Sequence, residues 1–202
     1  MARVILPFSN LKQLVRERRA TGADRYDEVW EGVYVLSPEA DNDHQRLVFR
    51  LARAIDQALG DRPDVQILPG TNISDRPTRW RRNYRCPDVA VFMPGNPAED
   101  KGSHWLGGPD LAVEILSPQD RSRQKLEFYA AVETREVLLV DREPWKLELY
   151  KNEGGRPTLC GSCEPGSGSV ESLALGLTFR IVDASPRPLI QVTAHGGGPW
   201  NA

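Results

Sequence analysis

Two short apolar runs, DVAVFM (Asp88 to Met93) and DLAVEILS (Asp110 to Ser117), constrain this chain most. They are nearly continuous in apolar residues, so each reads as a strand covered on both faces rather than one with a wetted side. A sheet buried between layers requires helices or a second sheet above and below it. The rest of the chain supplies them. Leu11, Leu14 and Val15 fall at helical spacing in a segment from Ser9 to Ala20, with Gly22 as its stop. Asp43 is a candidate cap for a second helix, in which Leu47, Val48, Leu51, Ile55 and Leu59 share one face until Gly60. A third helix is predicted from about Asp120 to Thr134.

Strands are predicted at Tyr26 to Leu36, as one strand or as two with Gly32 at a turn or bulge, and at Val65 to Leu68. EVLLVD and WKLELY, joined by a turn at Arg142 to Pro144, and Leu177 to Val182 complete the set. The Gly- and Pro-bearing stretch between the two apolar strands reads as a loop, and a Gly/Ser-rich stretch, CGSCEPGSGS, leads to the last strand. This order gives a mixed α/β or α+β chain with a central mixed sheet flanked by helices. One domain over residues 1–190 and a flexible tail at 191–202 (from QVT to AHGGGPWNA) are expected from the 202-residue length and the absence of a composition break.

Composition narrows function mainly by exclusion. The net charge of -2 provides no global attraction to nucleic acid, so any such contact has to be local. No run approaches a membrane span, and the first residues lack a signal-peptide layout, so a cytoplasmic protein without membrane partner is expected. Three cysteines are too few for a disulfide scaffold. Cys160 and Cys163 have C-x-x-C spacing with no second pair, which argues against structural zinc. Neither a GxxxxGK[ST] phosphate loop nor a G-x-S-x-G elbow is present.

Glu114 is the chemical anomaly. Alternation places it with Ala112 and Leu116 on a face where apolar residues are expected. Asp88 opens its own strand after Pro87, sharing a face with Ala90 and Phe92. A buried carboxylate requires a cation, a hydrogen-bond partner or a proton. If the strands are neighbours, the two acids can converge on one hard cation such as magnesium; alternatively, each is paired with one of the chain's 21 arginines. His44 lies on the apolar face of the second helix, facing the sheet, either as a core histidine bonded to a carboxylate or as a site residue. Glu31, another acid in an apolar and aromatic strand, is a third acidic candidate. In the run RWRRNYR, Arg79, Arg81, Arg82 and Arg85 alternate with Trp80 and Tyr84, which suits phosphate contacts and base stacking, or simply a charged hairpin face. Arg16, Arg18 and Arg19 read as a solvated helix face.

Together these residues resemble the Uma-two family of endonuclease-like proteins within the PD-(D/E)xK restriction-endonuclease-like superfamily. The likeness rests on Pro87-Asp88, on Glu114 within VEILSP, and on Lys125 and Tyr129 before EVLLVD. It extends from Tyr26-Asp27-Glu28-Val29 and Glu31-Gly32, through His44-Gln45, to about Leu177. It implies a restriction-endonuclease-like core and a magnesium or manganese ion on Asp88 and Glu114, with Lys125 assisting the attacking water. It further implies a nucleic-acid substrate, taken as DNA, and a homodimer. The chain departs from the superfamily pattern at Leu116, where a lysine would stand, so the lysine role passes to Lys125. The expected function is metal-dependent endonucleolytic hydrolysis; the alternative is an inactive nuclease-fold module that binds nucleic acid or a protein.

Overall fold

The computed structural model describes residues 8–37, 40–117 and 121–202. Its elements in chain order begin with α1 (Phe8–Thr21), β1 (Glu28–Trp30), β2 (Val33–Val35), α2 (Asn42–Ala58), β3 (Gln66–Pro69), β4 (Ile73–Ser74) and β5 (Tyr84–Arg85). Next come β6 (Val89–Phe92), β7 (Glu99–Asp100), β8 (Trp105–Leu106), β9 (Leu111–Ile115), α3 (Leu126–Ala131), β10 (Glu136–Arg142) and β11 (Trp145–Asn152). The last are β12 (Pro157–Cys163), β13 (Val170–Ser172), β14 (Leu177–Val182), β15 (Leu189–Ala194) and β16 (Gly197–Asn201). Tight 3-10 turns occupy Trp80–Arg82 and Ser122–Lys125. No helix among the described residues is long and apolar enough to cross a membrane.

The central sheet runs β12-β11-β10-β9-β6-β3, and the two apolar strands are immediate neighbours in it. β6 and β9 pair antiparallel, Val89 opposite Val113 and Ala90 opposite Ala112, while β9 and β10 run parallel. Strand alternation sorts the core into two layers. Leu111, Val113 and Ile115 pack with Leu47, Leu51 and Ile55 of α2 and with β14 and β15. On the opposite face, Ala90, Phe92 and Ala112 meet Leu126, Phe128 and Tyr129 from α3. The sheet is therefore a mixed one covered on both faces, as its apolar strands require.

A second sheet, β2-β1-β5-β4-β8-β7, carries the N-terminal hairpin. The Tyr26 to Leu36 stretch is two strands: Glu31 (φ 47°) and Gly32 (φ 84°) form the two-residue turn, both in the left-handed region that tight hairpins demand. Buried Asp27 secures this hairpin. It accepts from Arg18 at 2.6 Å, from the Tyr34 hydroxyl at 2.8 Å and from Ser37 N–H at 2.8 Å. Arg18 is thus an anchor between α1 and β1, not part of a solvated face. The stretch between β6 and β9 is no bare loop either, since β7 and β8 form within it.

Other boundaries also differ from expectation. α2 is capped by Asp41, whose carboxylate accepts from His44 N–H at 2.7 Å, two residues before the predicted Asp43. α3 is short and is preceded by a 3-10 turn; the start of the predicted helix, residues 118–120, lies outside the described residues. Cys160 and Cys163 lie within β12, with Cys160 exposed at a register shift in the β11–β12 pairing and Cys163 buried.

The expected tail is an integral part of the fold. Residues 189–194 and 197–201 form β15 and β16 of a third sheet, β13-β14-β15-β16. Ile190, Val192 and Ala202 are buried against the α2 layer, and Ala202 exchanges backbone hydrogen bonds with Ile190. The alternation of Ile190 and Val192 was legible, but their cover comes from a helix about 140 positions earlier. Replacing Ile190, which is fully buried, with Ala is expected to destabilise the protein by about 2–4 kcal/mol in urea unfolding. A frayed tail would show almost no change.

Candidate active site

The site begins with Glu114, on the face of β9 that turns toward α3. Lys125 closes the 3-10 turn and Tyr129 stands one helical turn later, so both side chains reach back to the same carboxylate. The Lys125 ammonium lies 2.9 and 2.8 Å from the two Glu114 oxygens, and Tyr129 donates a very short hydrogen bond to Oε1. Ser122 adds a long contact to Oε2 at 3.4 Å. Glu114 therefore has donors at essentially every lone pair.

Glu28, at the start of β1, is the acid that sequence reasoning missed. Its Oε1 lies 2.9 Å from the Lys125 ammonium and accepts from Cys86 N–H at 2.8 Å, while its Oε2 accepts from the Trp30 indole at 2.5 Å. Glu31, the predicted third acid, sits at the exposed hairpin tip and contacts Asn83 and Arg76 instead. The physical reason is the turn: Glu31 is not a strand residue, so alternation does not apply to it. Once Glu31-Gly32 is assigned to the turn, alternation puts Glu28 and Trp30 on one face, which was the available signal.

Asp88 precedes β6 at the boundary between the two packing layers. Its Oδ2 accepts from Ile115 N–H at 2.7 Å, and its Oδ1 pairs with His44 Nε2 at 2.9 Å. His44 thus belongs to the site through Asp88, not through Glu31. Asp88 retains lone pairs on both oxygens, and its side chain is 23% exposed against 3% for Glu114.

The electrostatics follow from burial. Burial pushes the Glu114 carboxyl up to about 8, with Asp88 and Glu28 adding to the push and Lys125 opposing it. Burial alone would lower Lys125, but Glu114 and Glu28 outweigh it and hold the ammonium charged well above its usual range. Three carboxylates thus face one ammonium, which leaves an excess of negative charge at the site.

Among the described residues, no group of three or more His, Cys, Asp or Glu side chains is arranged to hold a metal. Magnesium requires less, since it uses one or two carboxylates and keeps several waters. The hard oxygen donors suit such a cation. Asp88 has free lone pairs for it as it stands, and Glu114 could join only after Lys125 releases one of its two contacts.

The predicted arginine platform divides. Arg85 is 5% exposed and packs over the Trp30 and Phe128 rings at 4.6 and 4.2 Å, donating to Val29, Asn83 and Tyr84; it is a core residue, not a nucleic-acid contact. Arg79, Arg81 and Arg82 are exposed as expected. Trp80 is not an open stacking surface, because His104 stacks on it at 4.7 Å and Arg81 lies over its ring.

A profile of the Uma2 family, described as "Putative restriction endonuclease", matches residues 14–183. The chain is 29% identical over 153 residues to protein sll1609 of Synechocystis sp. (strain ATCC 27184 / PCC 6803 / Kazusa), covering 72% of this chain and 81% of that one. It is 30% identical over 105 residues to slr1290 of the same organism, covering 50% and 53%. Among solved structures, one described as a putative nuclease belonging to DUF820, from Anabaena variabilis ATCC 29413, superposes with a TM-score of 0.58. That match covers 74% of this chain and 82% of the other at 15% identity, a likeness of fold that makes the architecture restriction-endonuclease-like. With a match spanning most of its length, including Asp88, the strand that carries Glu114 and the turn that carries Lys125, the chain belongs to the Uma2 family of nuclease-like proteins.

Proposed function

We propose that this protein is a metal-dependent endonuclease that hydrolyses phosphodiester bonds in DNA at the Asp88–Glu114 cluster. The observation that carries the reading is the buried excess of carboxylate over ammonium at neighbouring strand ends. A magnesium or manganese ion held by Asp88 and Glu114 would supply Lewis-acid polarisation of the phosphate and a more acidic attacking water.

The protein's own groups have separable roles. His44 and Ile115 N–H fix the Asp88 carboxylate in direction. Lys125, held charged, contributes positive charge where phosphate charge develops; its proton is held too tightly for it to act as a base. Glu28 orients Lys125 and is itself held by Trp30 and Cys86. Arg79, Arg81 and Arg82 provide a local cationic surface for the DNA backbone on a chain of net charge -2.

Cleavage of a DNA panel with magnesium, with manganese and with chelator tests the reading. Glu114→Gln is expected to lower metal-dependent cleavage at least about 100-fold with the circular dichroism spectrum unchanged, a loss of the size seen when a charge-stabilising group is removed. Glu28→Gln should also lower it, whereas Glu31→Gln should leave it intact. Salt-sensitive DNA binding that persists with chelator, without cleavage under any metal, would instead identify an inactive binding module.

The raised Glu114 carboxyl makes a second prediction, on pH. Below about 8 the cation must displace the proton, so affinity falls as pH falls. The magnesium concentration giving half-maximal cleavage should rise by up to about tenfold per pH unit below that point, measured between pH 6 and 8.5. A requirement independent of pH would remove Glu114 from the ion's ligands.

A further inference from the structure

The acid cluster lies in a cleft of about 420 Å3 whose walls are not those of a phosphate groove. Tyr26, Trp30, Val35, Leu36, Val48 and Pro69 contribute apolar and aromatic surface. The lining carries four carboxylates, Glu28, Asp41, Asp88 and Glu114, against two side-chain cations, Arg121 and Lys125. Lys125 is fully engaged by Glu28 and Glu114. Arg121 is exposed and lies over the Trp30 ring at 4.7 Å, and among the described residues no carboxylate holds it.

We infer that this cleft receives an unpaired nucleotide, so that the preferred substrate is single-stranded or locally unpaired DNA; this rests on the hydrolytic reading above. A duplex turns its charged backbone outward and stacks its bases inside, and it is gripped by rows of cations. The walls here are apolar and offer the backbone no row of cations, so of the backbone only the phosphate at the acid cluster is engaged. The apolar faces of DNA are its bases, and only an unpaired base can present them to Tyr26, Leu36 and Val48, since Arg85 and Arg121 already lie over the Trp30 ring. The volume agrees, since about 300–1,000 Å3 is the range of a small-molecule site. Arg121 is placed to take a neighbouring phosphate at the lip while the base lies against the apolar walls beside the acid cluster.

This assigns base contact to the cleft rather than to the Arg79–Arg82 turn, whose Trp80 ring is already covered by His104 and Arg81.

The test pairs cleavage with binding. Initial rates with manganese are compared for one labelled strand alone, for its blunt duplex and for that duplex carrying an unpaired bulge. Fluorescence anisotropy with chelator compares a labelled oligothymidylate with its duplex. Single-stranded and bulged DNA should be cut at least about tenfold faster than the blunt duplex, and the single strand should bind about tenfold more tightly, the size of one base–aromatic stack. Val48→Trp fills the cleft from α2 and should abolish both preferences; Leu36→Trp does so from the hairpin side if the first variant fails to fold. Equal or faster cutting of the blunt duplex, unaffected by a folded cleft-filling variant, overturns the inference and leaves hydrolysis standing. No cleavage under any metal, with single-strand binding retained in wild type and lost in the variant, overturns the hydrolytic reading and supports the cleft's preference. Absence of both preferences overturns the cleft assignment.

Discussion

The Lys125 ammonium, shared between Glu114 and Glu28, is the contact on which the rest of the site depends. It ties the middle of the central sheet to the hairpin strand β1 and to the turn that starts α3. Desolvating three charged groups costs several kcal/mol each, and their mutual attraction offsets this only because hydrogen bonds saturate them. Tyr129 and Ser122 complete Glu114, and Trp30 and Cys86 complete Glu28. The partners span both sheets, so the cluster forms only when the sheets are docked. Buried ion pairs of this kind are often no more stabilising than well-packed apolar side chains of similar volume.

Asp88 is held differently, and the difference matters for chemistry. It stands at the head of β6, where α2 and the sheet meet, and is fixed by one histidine and one backbone amide. It is the more accessible carboxylate and has lone pairs to offer, whereas Glu114 is saturated. Under the proposed metal-dependent reading the asymmetry would give the pair distinct duties: Asp88 is open to a cation, and Glu114 would couple cation binding to the position of Lys125.

Much of this was legible in the chain. The apolar runs of β6 and β9 have only one stable placement, at the centre of a covered sheet, and an acid inside such a run stands out by its cost alone. Lys125 was singled out through resemblance and a count of scarce lysines, and the structure puts its ammonium against Glu114. His44 was readable because helical spacing puts it on the buried face. Glu31 misled because a hairpin turn interrupts the strand period, and Arg85 because an arginine between aromatic residues looks the same in a sequence whether it faces solvent or packs over Trp30 and Phe128.

Sequence by itself determined the layers, the buried strands and the two carboxylates of the central sheet, because these follow from local periodicity and the cost of burying charge. Tertiary structure decided which third acid completes the cluster, that the C-terminal residues cover α2, and that apolar walls surround the acids. Each of these depends on contacts between segments tens of residues apart. Glu28 meets Lys125 only because β1 pairs with β5, and Ile190 is buried only because α2 lies over it. Periodicity reports which way a side chain turns relative to its neighbours in sequence; what it meets there is set by the docking of distant elements.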